Sequence, residues 1–236
     1  TTTKDLENYA VEMNAKKEKV KMFPLGINTD DFKPLKKSSE LQKKIGIKEK
    51  DKVIIFVGTM YTFAGIENII NEFSFFEKNV KFIIIGGGPD FNKIKLQVKS
   101  KKLESNVILL GFIPQKKIAK YIALSDICLN PLILNDVTDK IIPTKILEYM
   151  SCGKPVLSTP LKGTLELLPN ENFGIVYAEQ INFIDSLILL LKDKDKLIKL
   201  GNAGFDHIRE NYYWDSLIEE LFIIFNDVIK NSKNTA

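Results

Sequence analysis

From Lys52 onward the chain alternates short, uninterrupted apolar runs with longer stretches whose apolar residues recur at helical spacing. The runs are VIIFV (53–57), VKFIII (80–85), NVILL (106–110), DICLNP (126–131), PVLST (155–159) and FGIVY (173–177). They are rich in β-branched residues and lack polar alternation, the pattern of strands covered on both faces. Between them, residues 66–78, 89–102 and 114–125 carry the periodicity of amphipathic helices. Another short helix begins near Pro143, where a missing N–H costs nothing, and must stop at the CGKP of 152–155. A helical turn near 164–168 and helices over 179–192, 195–210 and 215–230 complete the pattern. The repeated alternation predicts an α/β, Rossmann-like fold. Its core is a doubly wound parallel sheet of about six strands with helices on both faces and right-handed crossovers.

The first residues differ. Residues 1–20 are polar, with Leu6, Tyr9, Ala10 and Met13 at helical spacing, which makes one helix at most and no core. They are expected to be a residual helix or linker from a preceding domain, with one domain over 21–236. The stretch KVKMFPLGINTDDFKPL (19–35) reads as a strand, turn and loop leading into that domain.

Composition narrows the class. Hydrophobic residues make up 44% of the 236 and charged residues 27%, the balance of a water-soluble globular chain. The net charge of +4 is spread rather than blocked, so no nucleic-acid footprint is visible. No apolar run approaches the ~18 residues a membrane helix needs. Cys128 and Cys152 sit in apolar surroundings, as small buried residues in a reducing compartment would. A disulfide has no support in the sequence. Two cysteines and one histidine leave too few ligands for a zinc site.

In an open parallel sheet, ligands bind beyond the carboxyl ends of the strands. Three strand ends are informative. FVGTMYTFAG places Gly58 at the end of the first strand and Gly65 before the next helix. IIIGGGPD places three glycines at the end of the second, either for close approach of a ligand or for a tight strand-to-helix turn. It is not a dinucleotide fingerprint, because Phe91 stands where the last glycine belongs. The third is IIPTKILEYMSCGKPVLSTP (141–160). A helix starting there points free amides and a positive dipole end outward, which suits phosphate oxygens. Lys145 in the first turn opposes the dipole unless an anion binds. Glu148, one turn on, has the acceptors for a ribose diol. The alternative is an ordinary i,i+3 surface ion pair between Lys145 and Glu148.

KILEYMSCGKPVLSTP resembles the signature of the retaining, nucleotide-sugar-dependent glycosyltransferases of group 1 (family 4, GT-B fold). FPLGINTDDFKP, IIFVGTM, FIIIGGGPD, VILLGFIP, SDICLNP and RENYYWDSLIEELFIIF resemble further pieces of that pattern, in order, over about 19–229. The resemblance implies the C-terminal, donor-binding domain, one half of a GT-B enzyme. Position by position, it implies that Glu148 binds the donor ribose and that Gly58 and Thr59 line the diphosphate region. Gly86 and Gly87 would line the nucleotide crevice, Phe112 and Ile113 would cradle the base, and Thr144 would face the phosphates.

The chain also departs from the family. Lys140, beside Asp139, stands where a second Glu is usual, Thr59 where an Arg is usual and Ala64 where a Lys is usual. Some members instead carry Pro-x-Lys-apolar-x-Glu-Tyr, as PTKILEY does here, so Lys145 is expected to supply the missing positive charge. The implied partners are a nucleotide-sugar donor and a missing N-terminal acceptor-binding domain, without which the chain would catalyse nothing. No metal and no cofactor beyond the co-substrate are implied, and no nucleic acid. A cytoplasmic location is expected, at the inner membrane face if the acceptor is lipid-linked. Asp136 and Asp139 read either as sugar contacts or as solvated loop carboxylates, and His207 as a structural or surface residue. Two other readings remain open. One is a non-catalytic nucleotide-binding or scaffold domain. The other is an epimerase-like GT-B domain, which would need its own acid/base carboxylates and histidine.

Overall fold

Strands that all run one way put all their carboxyl ends at one edge, and the described residues build six of them. The computed structural model describes residues 1–233. Helices α1 (Lys4–Glu12) and α2 (Ser39–Lys44) precede β1 (Lys52–Val57). Next come α3 (Ile66–Asn71), β2 (Val80–Ile85), α4 (Phe91–Ser100), β3 (Val107–Gly111), α5 (Gln115–Ile122) and β4 (Ile127–Asn130). Then follow α6 (Thr144–Ser151), β5 (Val156–Ser158), α7 (Lys162–Leu167), β6 (Ile175–Tyr177), α8 (Phe183–Leu190), α9 (Lys194–Asn211) and α10 (Trp214–Lys233). The strand order is β3-β2-β1-β4-β5-β6, with every pair parallel. Strand order reverses between β1 and β4, and helices leave to opposite faces there, which opens a crevice at their carboxyl ends.

Alternation along each strand feeds two cores. Ile54, Phe56, Phe82 and Ile84 pack with Ile66, Ile69 and Ile70 of α3 and Leu187 of α8. Val53, Ile55, Ile83 and Ile85 pack with Ile118 and Ile122 of α5, with Ile146, Tyr149 and Met150 of α6 and with Ile208 of α9. The six apolar runs become the six strands to within two residues at each end. Cys128 and Cys152 are buried and unbridged, and burial pushes the Cys128 thiol up to about 12. His207 is half-buried against the rings of Phe173 and Tyr212, and burial lowers its pKa.

Two local expectations fail. The segment 19–35 forms no strand; Ile27 alone makes a single bridge with Tyr213, its amide donating to the Tyr212 carbonyl at 2.7 Å. Packing explains the shape. A Cβ on Gly26 would lie 2.4 Å from the Trp214 indole, so the lead-in segment lies flat on that ring. The helix expected over 66–78 ends at Asn71 and a 3₁₀ turn, Phe73–Phe75, follows. In a 3₁₀ turn positions three apart eclipse, and this lets Phe73 and Phe76 both enter the core with ring centroids 5.0 Å apart.

Helix α6 is held on several sides. The Ser151 hydroxyl donates to the buried Phe32 carbonyl at 2.8 Å, which ties the lead-in segment to α6. Helix α9 closes on α6 through glycines. A Cβ on Gly201 would stand 2.5 Å from the Gly153 carbonyl oxygen, whereas one on Gly204 would meet only the flexible end of Met150 and the Gly174 Cα at 3.3–3.4 Å. Forcing a methyl against fixed backbone costs about 1–3 kcal/mol, more than the roughly 1 kcal/mol an alanine gains in a helix interior. Gly201→Ala is therefore expected to lower the urea midpoint and Gly204→Ala to leave it within about 0.5 kcal/mol of wild type. Equal midpoints for the two variants would contradict this packing.

Candidate functional site

Helix α6 buries Ile146, Leu147, Tyr149, Met150 and Ser151. That leaves Thr144 exposed and Lys145 and Glu148 half-buried on its remaining stripe, facing the crevice edge of the sheet. No side chain caps its start at Pro143, and no acidic residue occupies its first turn. The Ile146 amide bonds back to the Pro143 carbonyl, while the Thr144 and Lys145 amides have no partner among the described residues. The helix therefore presents free N–H groups and a positive dipole end.

Lys145 does not pair with Glu148: no hydrogen bond or ion pair joins them among the described residues. Its Nζ lies instead over the Phe56 ring, 4.2 Å from the centroid. The same Nζ is 3.4 Å from where a Cβ on Gly58 would stand. The surface ion-pair alternative is thereby set aside. Burial lowers the Lys145 ammonium to about 7, against the opposing pull of Glu148. Burial raises the Glu148 carboxyl above its ordinary value, against Lys145. A cation poised near neutrality and an unbonded carboxylate stand together, each short of a partner.

Beside them the ends of β1, β2 and β3 touch. Gly58 has φ +152° and Gly86 φ +131°, and a Cβ on Gly86 would lie 2.0 Å from the Gly58 carbonyl oxygen. The Gly86 amide donates to the Gly111 carbonyl at 2.8 Å and the Gly58 amide to the Ile85 carbonyl at 3.0 Å. Gly88, at φ +140°, is pressed against the Met60 backbone. Gly86 and Gly88 are thus spent on the close approach of backbones, while the space where a Cβ on Gly87 would stand is open. The two loops are pinned by Met60 N–H to the Gly87 carbonyl at 2.7 Å and by the Thr62 hydroxyl to Asp90 Oδ2 at 2.8 Å. The Thr59 amide has no partner among the described residues and adds a further free donor.

Phe112, 83% exposed, and half-buried Ile113 follow directly on Gly111, so they stand at the far rim of the same edge. Gly58, Thr59, Gly87, Thr144, Lys145 and Glu148 lie around the end of β1 and the start of α6. Asp136 is exposed. Asp139 is committed elsewhere: its Oδ1 accepts the Lys162 amide at 2.9 Å, at the start of α7. Lys140 is exposed beside a groove of about 790 Å³ that runs under α1. Ala64 is buried. Two features escape sequence reasoning. Buried Thr138 and the Asn135 side chain fold the loop before α6 through their own backbone contacts. Tyr149, which reads as one more apolar position, has a bonded hydroxyl, and the need of any buried tyrosine for a partner is the signal that could have found it. No group of three or more metal-ligating residues occurs among the described residues.

Comparisons with known proteins converge on one class. The profile of the family described as "Glycosyl transferases group 1" matches residues 37–207. N-acetyl-alpha-D-glucosaminyl L-malate synthase of Bacillus anthracis is 26% identical over 200 residues, which are 83% of this chain and 51% of that protein. The phosphatidylinositol N-acetylglucosaminyltransferase GPI3 subunit of Saccharomyces cerevisiae is 26% identical over 234 residues, 96% of this chain and 49% of that protein. The chain thus spans about half the length of these curated relatives. The solved structure of Anabaena HepE in complex with UDP-glucose shares the fold at a TM-score of 0.80 and 16% identity, covering 96% of this chain and 63% of that one.

The Lys145 environment fixes the sign of a pH dependence. Above about 7 the free site holds a neutral amine, so an arriving anion must draw a proton onto it; below that value the ammonium is already present. Affinity for inorganic pyrophosphate is expected to rise as pH falls from about 9 towards 7 and then level off. Titration calorimetry on wild type and Lys145→Ala separates this from the ligand's own protonation. Identical slopes in the two proteins would remove Lys145 from the site.

Proposed function

Because the chain belongs to the group 1 glycosyltransferases, we propose that it is the donor-binding half of a retaining enzyme of that family. It would carry a sugar from a nucleoside diphosphate to a glycan, a lipid-linked acceptor or another hydroxyl. The observation that carries this reading is the uncapped start of α6, with Lys145 laid against Gly58 and Glu148 left without a bond one turn later. Negative charge builds on the departing diphosphate as the glycosidic bond breaks. Donors already fixed in place stabilise that charge without reorganising. The free amides of Thr144, Lys145 and Thr59 and the Lys145 ammonium are such donors. Glu148 accepts the ribose hydroxyls, and exposed Phe112 with Ile113 offers a surface for the base. The reaction is proposed to need no metal and no cofactor beyond the sugar nucleotide.

Two relatives are named for N-acetylglucosaminyl transfer and a structural neighbour holds UDP-glucose, so UDP-N-acetylglucosamine is the first donor to test. Acceptor binding is assigned to an N-terminal half, so this chain alone would bind nucleotide and transfer nothing. No described helix is long and apolar enough to cross a membrane. The phosphatidylinositol in one relative's name supports peripheral contact of the whole enzyme with a membrane, and the inner face and a cytoplasmic location are part of the proposal.

One observation favours a second reading. Lys140 is exposed where the family usually places a carboxylate, and the neighbouring Asp139 is tied to α7, so a nucleotide-binding scaffold without catalysis is the rival. The epimerase-like alternative lacks its histidine, since His207 packs between Phe173 and Tyr212 on α9.

Two variants and one assay separate these. Lys145→Ala is expected to weaken UDP binding about tenfold or more, since a charge-assisted bond contributes about 1.5–3 kcal/mol. Glu148→Ala is expected to erase the preference for UDP over its 2′,3′-dideoxy analogue, because the diol is then unrecognised. Loss of less than about twofold in both variants would sink the site. The chain joined to its natural upstream sequence should release sugar from UDP-N-acetylglucosamine or another nucleotide sugar. Binding without transfer or hydrolysis across a donor panel would decide for the scaffold.

A further inference from the structure

One polar group of α6 reaches no ligand space. Tyr149 is fully buried, and the Val57 amide at the end of β1 donates to its hydroxyl at 2.7 Å. Val57 needs this acceptor because the pairing of β1 with β4 stops before either strand ends. In a parallel sheet successive residues of a strand address opposite neighbours. The Gly58 amide bonds Ile85 of β2, so Val57 faces the β4 side, where pairing stops at Ile55 opposite Cys128. The Tyr149 hydroxyl serves as the acceptor that the Val57 amide does not find on β4. It follows Glu148 directly on α6 and lies one turn beyond Lys145, while Val57 directly precedes Gly58.

We propose that Tyr149 is a positioning residue for the diphosphate site, its hydroxyl fixing the distance between α6 and the Gly58 turn. That distance decides whether two sets of donors meet on one diphosphate. One set, the amides of Thr144 and Lys145 with the Lys145 ammonium, rides on α6; the other, the Thr59 amide, rides on the turn after β1. The Tyr149 hydroxyl couples them, accepting the Val57 amide at 2.7 Å and donating to the Val57 carbonyl at 3.5 Å. The inference rests on the donor-site reading above.

Tyr149→Phe keeps the ring and removes the acceptor. Amide hydrogen exchange on the free chain, UDP and UMP affinities and the urea midpoint are measured together. Exchange at Val57 is expected to quicken about tenfold or more. UDP affinity is expected to fall at least about fivefold and UMP affinity less than about twofold, because only the second phosphate needs both sets of donors. Unchanged Val57 protection overturns the proposal. Equal losses for UDP and UMP, in step with the midpoint, overturn it too, since they describe a merely structural residue. If Tyr149→Phe does not fold, a ring-fluorinated tyrosine at 149, with a weaker acceptor oxygen, takes the same measurements. Wild type that binds neither nucleotide defeats the donor-site reading, and the exchange result alone then decides whether Tyr149 anchors the turn.

Discussion

Burial of α6 from several sides decides where the polar chemistry of this chain can stand. The helix is wedged between the sheet, α9 and the lead-in segment, and five of its eight residues are buried. What remains is one stripe with Thr144, Lys145 and Glu148. Lys145 occupies the part of a helix that disfavours a cation and a surrounding that disfavours charge. Glu148 offsets these costs only in part, through space and without an ion pair. Local rules broken with only a partial internal return are expected at places kept for something outside the chain.

The glycines serve this arrangement from the other side. At Gly86 the chain itself needs the missing Cβ, since the Gly58 carbonyl fills that space. The ends of β1 and β2 can close on each other, and the free Thr59 amide lies beside the end of α6. The crevice predicted from topology is thus built by backbone contact and bounded by the Lys145 amine on an aromatic face. Rigid amides and a lysine amine complement each other: the first cost nothing to organise, and the second adds a full charge when protonated.

Much of this was legible in the sequence. Strands covered on both faces leave unbroken apolar runs, so all six were visible. The lead-in segment was misread because its conformation comes from Trp214 and Tyr212, at the far end of the chain, and not from its own apolar residues. The break after Asn71 came from two phenylalanines seeking one core, a tertiary demand that helical periodicity does not carry. The spacing of Lys145 and Glu148 allowed both an ion pair and a ligand site. Only Phe56, on another element, distinguishes them. Asp139 looked free in the loop because its partner is a backbone amide of α7.

The departures from the family pattern form a consistent set when charges are followed in space. Thr59 and Ala64 remove two cations that the pattern usually provides after β1, and Ala64 is buried, where a charged side chain would be desolvated. The replacement proposed above is Lys145 of α6, whose Nζ lies 3.4 Å from where a Cβ on Gly58 would stand, beside the position at which the usual arginine would start. One carboxylate is also missing, with Lys140 in its place but turned to solvent. After β1, then, two cations of the usual pattern are absent, and one, Lys145, stands against Gly58 from the helix side. A diphosphate senses the field at its own position and not the segment that produces it. The same binding demand can therefore be met by a lysine from the helix side, provided the helix is held in register with the turn.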